Sequence, residues 1–375
     1  MILLIPYLIC PFYKYPEIKQ FSGNKFYNPY ENIDSTKWLK TNFHAHSRQW
    51  TGITAGSSNQ EDDVAAKYKE INYDIIGISD YQSINTFLAN DPAYIPVYEH
   101  GYGALKNHQL VIGAKNVSWL DFLLFQSYHN SQEIIVHLRK DNEVISVNHP
   151  KLRDAYPPQT LKYLRGYDLL EITSHSYFNA IDLWDTVLSS GNPVFTLGSD
   201  DNHDISDPED YGYVYTMINS SHVNQNDILN ALRNGTSFAV ELEPQKDSSP
   251  KMKIEQSNSV PLIISCKINN NTLEMNYNKP FDTLKLIGQN GVIKAKEVNK
   301  NSCRYFIKDI DTYIRAEISH KNMISLFLNP VFRFNGNLDK RAPEIDITKT
   351  WIFRSIYIII IGAVVFVYKR YKKNK

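Results

Sequence analysis

The stretch PVFTLGSDDNHD, residues 193–204, sets the fold question. Its first half is a near-continuous apolar run. Its second half gathers acids around one histidine. A strand buried on both faces of a parallel sheet reads this way, and the C-terminal edge of such sheets is where their chemistry sits. Working outward, the same design recurs. TNFHAHSRQW (41–50) closes the strand WLKTNFHAH on His44 and His46. YDIIGISDY ends on Asp80, EVISVNHP on His149, and YDLLEITS on Glu171. LVIGAKNVSW and DFLLFQS read as further strands. Helices fit between: EDDVAAKYKEIN, with acids in its first turn, then SQEIIVHLRKDN, PQTLKYLRG, NAIDLWDTVLSSG and NQNDILNALRNG. Repeated strand–helix units over 38–240 argue an α/β domain on a parallel sheet, closed as a barrel or doubly wound.

The pattern changes near 245. KMKIEQS, PLIISCKI, NTLEMNY, DTLKLIGQNGVIKAKEV, CRYFIKD and TYIRAEIS are short alternating segments, and Asn290-Gly291 is a hairpin signal. They predict a small antiparallel β-sandwich over 245–334. A polar stalk, 335–350, leads to WIFRSIYIIIIGAVVFVY (351–368). That segment reads as a transmembrane helix whose Arg354 can snorkel to the head groups. The basic tail 369–375 is expected on the cytoplasmic side, and the rest of the chain outside. This orientation requires export. Residues 1–20 begin with MILLIPYLIC, apolar but without a basic start or a cleavage site, and read as part of a signal peptide. Cys266 and Cys303 could pair in an oxidising compartment. Lys plus Arg and Asp plus Glu both number 40, with no basic stripe, so no nucleic-acid partner is indicated.

The strand-end residues carry the chemistry. His44/His46 and Asp201/His203 are i, i+2 pairs, so each pair projects to one side of an extended backbone. Imidazoles with carboxylates suit Zn, Mn or Fe rather than Ca. A lone strand-end histidine is usually an ordinary hydrogen-bonded residue; two matched pairs argue for metal contact. Asp80 reads equally as a ligand or as the partner that orients one, and Glu171 likewise. Arg48, Lys151 and Arg153 lie just past strand ends and could meet a phosphate, though solvated loop charges need no such role. His100, His108, His129 and His137 show no partner pattern.

In the order NFHAHS, DIIGISDY, VISVNHP, GSDDNHD, the chain resembles the PHP family, the polymerase and histidinol phosphatase metal hydrolases. The resemblance covers about 40–240, and YIRAEI with NPVFRF resembles the β domain appended to some exported members. It implies a distorted (β/α)7 barrel, up to three divalent ions and hydrolysis of phosphate esters. His44 and His46 match the first motif and His149 the His-Pro. Asp201 and His203 match the last, with Asp200 the alternative acid, and Glu171 matches a strand-end acid. Two positions depart. Tyr81 stands where a liganding histidine is usual, and Lys115 where a bridging glutamate is usual. An ammonium repels the ions beside it, so one or two ions are expected rather than three.

Lys115 leaves three readings. Its ammonium replaces an ion, leaving His44, His46 and Asp201 around one metal. Or it is carbamylated and bridges, with His175 a further ligand, as in carbon–nitrogen or lactone hydrolases. Or the site is degenerate and the chain is a surface binding module. The leading expectation is a membrane-anchored, extracytoplasmic metal-dependent phosphoesterase. It would act on a small-molecule phosphate ester, with Asp80 and Lys115 in catalytic positions and His44, His46, His149, Glu171, Asp201 and His203 as metal residues.

Overall fold

The computed structural model describes residues 5–374 except 49, 51–53, 55–57, 175–178, 322, 337, 339 and 341. His175 therefore lies outside the described residues. The chain opens with α1 (Ile5–Ile9), β1 (Lys25–Tyr27), β2 (Trp38–Asn42), α2 (Glu61–Glu70) and β3 (Ile75–Ile76). It continues through β4 (Val97–His100), β5 (Gln109–Ile112), α3 (Tyr128–Arg139), β6 (Val144–Val147), α4 (Pro158–Tyr163) and β7 (Leu169–Ser174). Then come α5 (Ile181–Ser189), β8 (Phe195–Ser199), β9 (Val214–Asn219), α6 (Gln225–Asn234), β10 (Ser237–Leu242) and α7 (Pro250–Ser259). The last part holds β11 (Ile263–Asn269), β12 (Thr272–Gly288), β13 (Val292–Phe306), β14 (Tyr313–His320), β15 (Ile324–Phe334) and α8 (Ile347–Lys373).

The protein is mixed α/β, built on two sheets, and the strands that carry the site curl into a half-barrel. One sheet runs β4-β5-β6-β7-β8. The other runs β11-β12-β14-β15-β10-β9-β2-β3, with β1 added on β15 and β13 on β12. Single bridges, Tyr81↔Glu99 and Ala45↔Asn202, join the sheets where the strands end. At the third contact Gly198 of β8 meets β9 by exchanging hydrogen bonds with the Thr216 hydroxyl. A Cβ there would stand 3.0 Å from both Tyr215 O and the Ala239 methyl, so only glycine lets the sheets approach this closely.

The expected all-parallel sheet is corrected in two places: β9 runs antiparallel to both β2 and β10, and β5 is reversed. β6, β7 and β8 are parallel, as are β2 and β3. β5 is antiparallel to both β4 and β6. The edge that carries the C-terminal ends of β4, β6, β7 and β8 is therefore the N-terminal end of β5. β4 itself lies in PVYEHGYG, which carries no strong alternation and was not expected as a strand.

Side chains close the N-terminal ends of α3, α6 and α7. Ser127 and Asn130 make a reciprocal capping box at α3. Asn224 caps α6, and Gly235 ends it with φ 69°. The same logic overturns one expectation: KMKIEQS is not a strand but lies in α7, because Ser249 caps it and Pro250 occupies its first turn. DFLLFQS is not a strand either. It runs as a bend before α3, held by Asp121, whose oxygens accept from Tyr102 N, Gly103 N and Phe122 N.

The strands expected as a separate sandwich extend the large sheet instead. β15 pairs with β10 from Phe238↔Leu328 to Leu242↔Ile324. The Asn290-Gly291 hairpin is present, joining β12 to β13. Cys266 and Cys303 are buried free thiols. Both face Met275 of the strand between them, so two strand spacings, about 9.5 Å, separate their backbones and no bond can span that. The extension is clasped to the half-barrel by a buried ion pair. Arg315 on β14 donates from Nε and Nη2 to the two oxygens of Asp185 on α5, each at 2.7 Å. α8 is long and apolar enough to cross a membrane. Its 27 residues extend about 40 Å at 1.5 Å each.

Two stability predictions follow from buried charge. Asp185→Ala leaves Arg315, 1% exposed in its side chain, to the longer 3.5 Å pair with Glu317, and should cost about 3 kcal/mol; a urea melt that moves by less than about 1 kcal/mol contradicts the clasp. Lys40 on β2 is the second case. Its ammonium lies 4.1 Å and 4.8 Å from the ring centres of Tyr73 and Tyr215. Burial pushes its pKa down to about 7, against the upward pull of Asp200. Unfolded lysine titrates near about 10.4, so the unfolded chain binds more protons between the two values and stability rises with pH across that window. Lys40→Met should therefore melt above the wild type at pH 6, with the gap narrowing as pH rises from about 7 toward about 10. A gap that ignores pH would show that the ammonium is not the cause.

Candidate metal centre

β2 ends at Asn42, whose carboxamide oxygen accepts from His44 N and whose amide donates to Tyr68 Oη. The chain then stays extended through Ala45, bridged to Asn202, and His46 N donates to Asn202 O at 2.9 Å. This lays His44 and His46 against Asp201, at the end of β8. Asp201 has φ 53° and His149 φ 26°. Both are left-handed conformations that cost energy for these residues, and such strain gathers where side chains are aimed for function.

The side chains converge. His44 Nε2 lies 3.1 Å from Asp201 Oδ1 and 3.3 Å from Glu99 Oε1. His46 Nε2 lies 3.3 Å from Asp201 Oδ1 and 3.3 Å from Glu99 Oε2. Glu99 Oε1 also meets His108 Nδ1 at 2.7 Å and His149 Nε2 at 3.0 Å. His203 completes the rim, its ring 4.4 Å from that of His46. Donor atoms of four triads come within 4.8 Å of one another: His44/His46/Glu99, His44/His149/Asp201, His46/Asp201/His203 and Glu99/His108/His149.

The approaches of His44 Nε2 and His46 Nε2 to Asp201 and Glu99 are not hydrogen bonds. His44 Nε2, both ring nitrogens of His46, Glu99 Oε2 and Asp201 Oδ1 are buried and have no hydrogen-bond partner. Orphaned buried polar atoms are costly, and here they share one focus. Two ligands of an ion at about 2.1 Å lie about 3.0 Å apart in an octahedron and about 3.4 Å apart in a tetrahedron. The 3.1–3.3 Å separations between His44, His46, Asp201 and Glu99 fall in that interval. The donor set therefore fits a divalent ion.

Electrostatics point the same way. Burial raises the cost of ionising Glu99, yet the surrounding His108 and His44 hold its carboxyl well below the usual range. Burial alone would lower the His44 pKa; Asp201, Glu171 and Glu99 outweigh it and hold it well above the ordinary value. Protons are drawn to the focus where a cation is accommodated. His203 differs: burial pushes it down to about 4.

Around this focus the other expected residues are placed as follows. Glu171 accepts from Ser199 Oγ and His149 N, and its Oε1 lies 2.9 Å from His44 Nδ1. It fixes the ring and tautomer of His44 from behind and belongs to none of the four triads. Asp80 points to Ser47 and Asn85, accepting from Ser47 N at 2.7 Å and Asn85 Nδ2 at 2.8 Å. It holds the segment just after His46. Asp200 accepts from the backbone of Gly212, Tyr213 and Val214, which leaves Asp201 as the acid at the focus. Tyr81 stacks on His46 at 4.3 Å, and its hydroxyl lies 3.0 Å from His203 Nε2. Lys151 pairs with Asp182, and Arg153 donates to Ala104 O.

Lys115 is the main correction. It follows β5, the reversed strand, so it emerges at the opposite edge of the sheet. There its side chain is 61% exposed and pairs with Glu143 at 3.1 Å. It neither replaces an ion nor presents a buried amine to carbamylate. The acid at the centre is Glu99, on the unexpected strand β4. His108 joins it because β5 begins where the other strands end. The signal available was the doublet Glu99-His100 with His108 nine residues on; it becomes readable only once β4 and β5 are seen as a hairpin.

No family model matches the chain, and no curated protein matches it. Among the solved structures to which the chain shows similarity are two. One is a two-domain protein containing a predicted PHP-like metal-dependent phosphoesterase from Bacteroides vulgatus ATCC 8482, with 16% identity over 82% of this chain and 95% of that one and a TM-score of 0.43. The other is PsfC from Pseudomonas syringae PB-5123, with 11% identity over 59% and 97% of the two chains and a TM-score of 0.37.

The two carboxylate positions can be told apart by metal content after dialysis against Mn²⁺ or Zn²⁺. Glu99→Ala should weaken binding at least tenfold, whereas Lys115→Ala should bind as the wild type does. The reverse order would restore Lys115 to the site.

Proposed function

We propose that the protein is a divalent-metal-dependent hydrolase acting on phosphate esters, anchored in a membrane by α8 with its site on the extracytoplasmic side. The convergence of His44, His46, Glu99 and Asp201, all with orphaned buried donor atoms at ligand–ligand separations, carries the reading. These four residues would hold one ion, Zn, Mn or Fe. Glu99, through its other contacts, would share a second with His108 and His149. Two ions suit this geometry better than three, because the Tyr81 hydroxyl occupies His203 where a further nitrogen ligand would be needed.

When bound, the ion supplies Lewis acidity: it polarises a phosphoryl oxygen and makes water nucleophilic at neutral pH. The chain's own residues do the rest. Glu171 keeps the His44 ring oriented and its Nδ1 occupied, so Nε2 faces the focus. Asp80 pins Ser47 and so the backbone leaving His46. His203 is neutral at pH 7, and its Nδ1 and Nε2 meet Asp201 O and the Tyr81 hydroxyl, so it positions Tyr81 at the rim. Overall, water oxygen forms a new P–O bond, the ester P–O bond breaks, and the alcohol leaves with a proton. The resemblance in the motifs NFHAHS, VISVNHP and GSDDNHD supports the same chemistry. A non-catalytic binding module is the competing reading, for which Tyr81 is the remaining motive.

The full chain in detergent should release p-nitrophenol from p-nitrophenyl phosphate or its diester when Mn²⁺ or Zn²⁺ is added. His44→Ala with His46→Ala should lower that rate at least a hundredfold. An unchanged rate in the double variant would sink the assignment, and a metal-loaded protein with no turnover on either ester would favour the binding module.

A further inference from the structure

Beside the cluster, across Tyr81, lies an aromatic cavity. It holds about 350 Å³ and is bounded by Trp50, Tyr81, Tyr102, Lys106 and Trp119, among others. Tyr81 is the wall shared with the cluster, since it stacks on His46. Trp50 is fixed to that wall by its indole N–H, which donates to Tyr81 O, and its ring meets Trp119 edge-on at 6.1 Å. Lys106 Nζ lies 5.3 Å from the Tyr81 ring centre and is the one charged side chain among the described residues of the lining. An anion is therefore favoured there, with apolar surface on its other sides. The volume is at the small end of the range of about 300–1,000 Å³ for small-molecule pockets. It has room for a head group but not for a long chain.

The apolar surface continues away from this cavity. Trp119, Leu124 and Phe125 are 58%, 51% and 62% exposed. Tyr7 of α1 packs its ring on Phe122 and Phe125, and its hydroxyl accepts from Leu124 N. Two residues on, Ile9 is exposed and its carbonyl accepts from Arg354 of α8 at 2.6 Å. Leu8 and Ile9 share a groove with Trp351 and Ile358 of that helix. An apolar apron thus runs from the membrane-type helix, through α1 and the 119–125 segment, to the Trp119 wall of this cavity. Apolar patches of this kind mark membrane or protein contacts, and exposed Trp and Tyr favour the bilayer interface. Continuity with α8 selects the bilayer.

We infer that this apron rests on the bilayer that α8 enters, and that the substrate is an anionic phosphate ester carried by a membrane lipid. The lipid chain lies along Trp119 and Phe125, and its phosphate passes Lys106 to the cluster. Hydrolysis breaks the P–O bond to the lipid alcohol, which leaves with a proton while water supplies the new P–O oxygen. The inference rests on the hydrolase reading above.

The test uses the full chain in lipid nanodiscs made with ordinary or bromine-labelled phosphatidylcholine. The emission lost on Trp119→Phe isolates the Trp119 signal, and Trp351 at the start of α8 serves as the reference. Bromine should quench the Trp119 emission at least twofold; equal emission in both discs overturns the bilayer contact and assigns the apron to a protein partner. With Mn²⁺ present, phosphatidic acid in the disc should be hydrolysed with a kcat/KM at least tenfold above p-nitrophenyl phosphate. A soluble ester hydrolysed as well as the lipid overturns the substrate class but keeps the hydrolase. Turnover of neither overturns both. Phe125→Glu, on the exposed apron, should halve the Trp119 quenching if the surface touches lipid, and leave it unchanged if it does not.

Discussion

The carboxylate of Glu99 organises the centre of this protein. It is fully buried and meets four imidazoles: His44, His46, His108 and His149. Burying a charge this deeply costs several kcal/mol unless it is compensated, and no arginine or lysine reaches it among the described residues. The compensation must come from protonated imidazoles or from a cation held between them. Hydrogen bonds satisfy His108 and His149 with one oxygen. The other oxygen, with His44, His46 and Asp201, is left facing a common point. The strained backbones of Asp201 and His149, the Ala45↔Asn202 bridge and the Glu171 contact behind His44 all hold side chains toward that point.

The large sheet gives the focus its rigidity. β2, which delivers His44 and His46, is an inner strand of that sheet, with β9 on one side and β3 on the other. The C-terminal strands add to the same hydrogen-bonded plane through β15 and β10, and Arg315 with Asp185 ties their far side to α5. Positioning a site on regular strands with few soft joints is what precise ligand geometry needs. α8 and α1 are not part of this sheet. Phe12 stacks on Phe353 of α8 and Tyr13 donates to His129 and Glu133 of α3, so α8 is also tied to the body of the half-barrel.

Much of this was legible in the chain. His44/His46 and Asp201/His203 announce themselves by i, i+2 spacing at the ends of apolar runs, and VNHP places His149 on the same edge. The five helices of the α/β region follow from caps and periodicity. What failed has one main physical cause. A strand's direction is not encoded in its own pattern: the resemblance put Lys115 where a bridging glutamate is usual, but reversal of β5 carries Lys115 to the opposite edge and puts His108 and Glu99 at the site. VYEH is too short to show period, and burial on both faces removes alternation. KMKIEQS alternates like a strand, yet Ser249-Pro250 decides its start as a helix. The sandwich was misjudged for a related reason: alternation reports that strands are half-buried, not which sheet they join.

The most direct test is a crystal of the protein grown with Mn²⁺ and measured for anomalous scattering. The account predicts a peak within about 2.3 Å of His44 Nε2, His46 Nε2 and the oxygens of Glu99 and Asp201 that face them. Its second ligand group predicts a weaker peak beside Glu99, His108 and His149. A map with no anomalous peak at that focus, in a crystal saturated with Mn²⁺, would contradict the account.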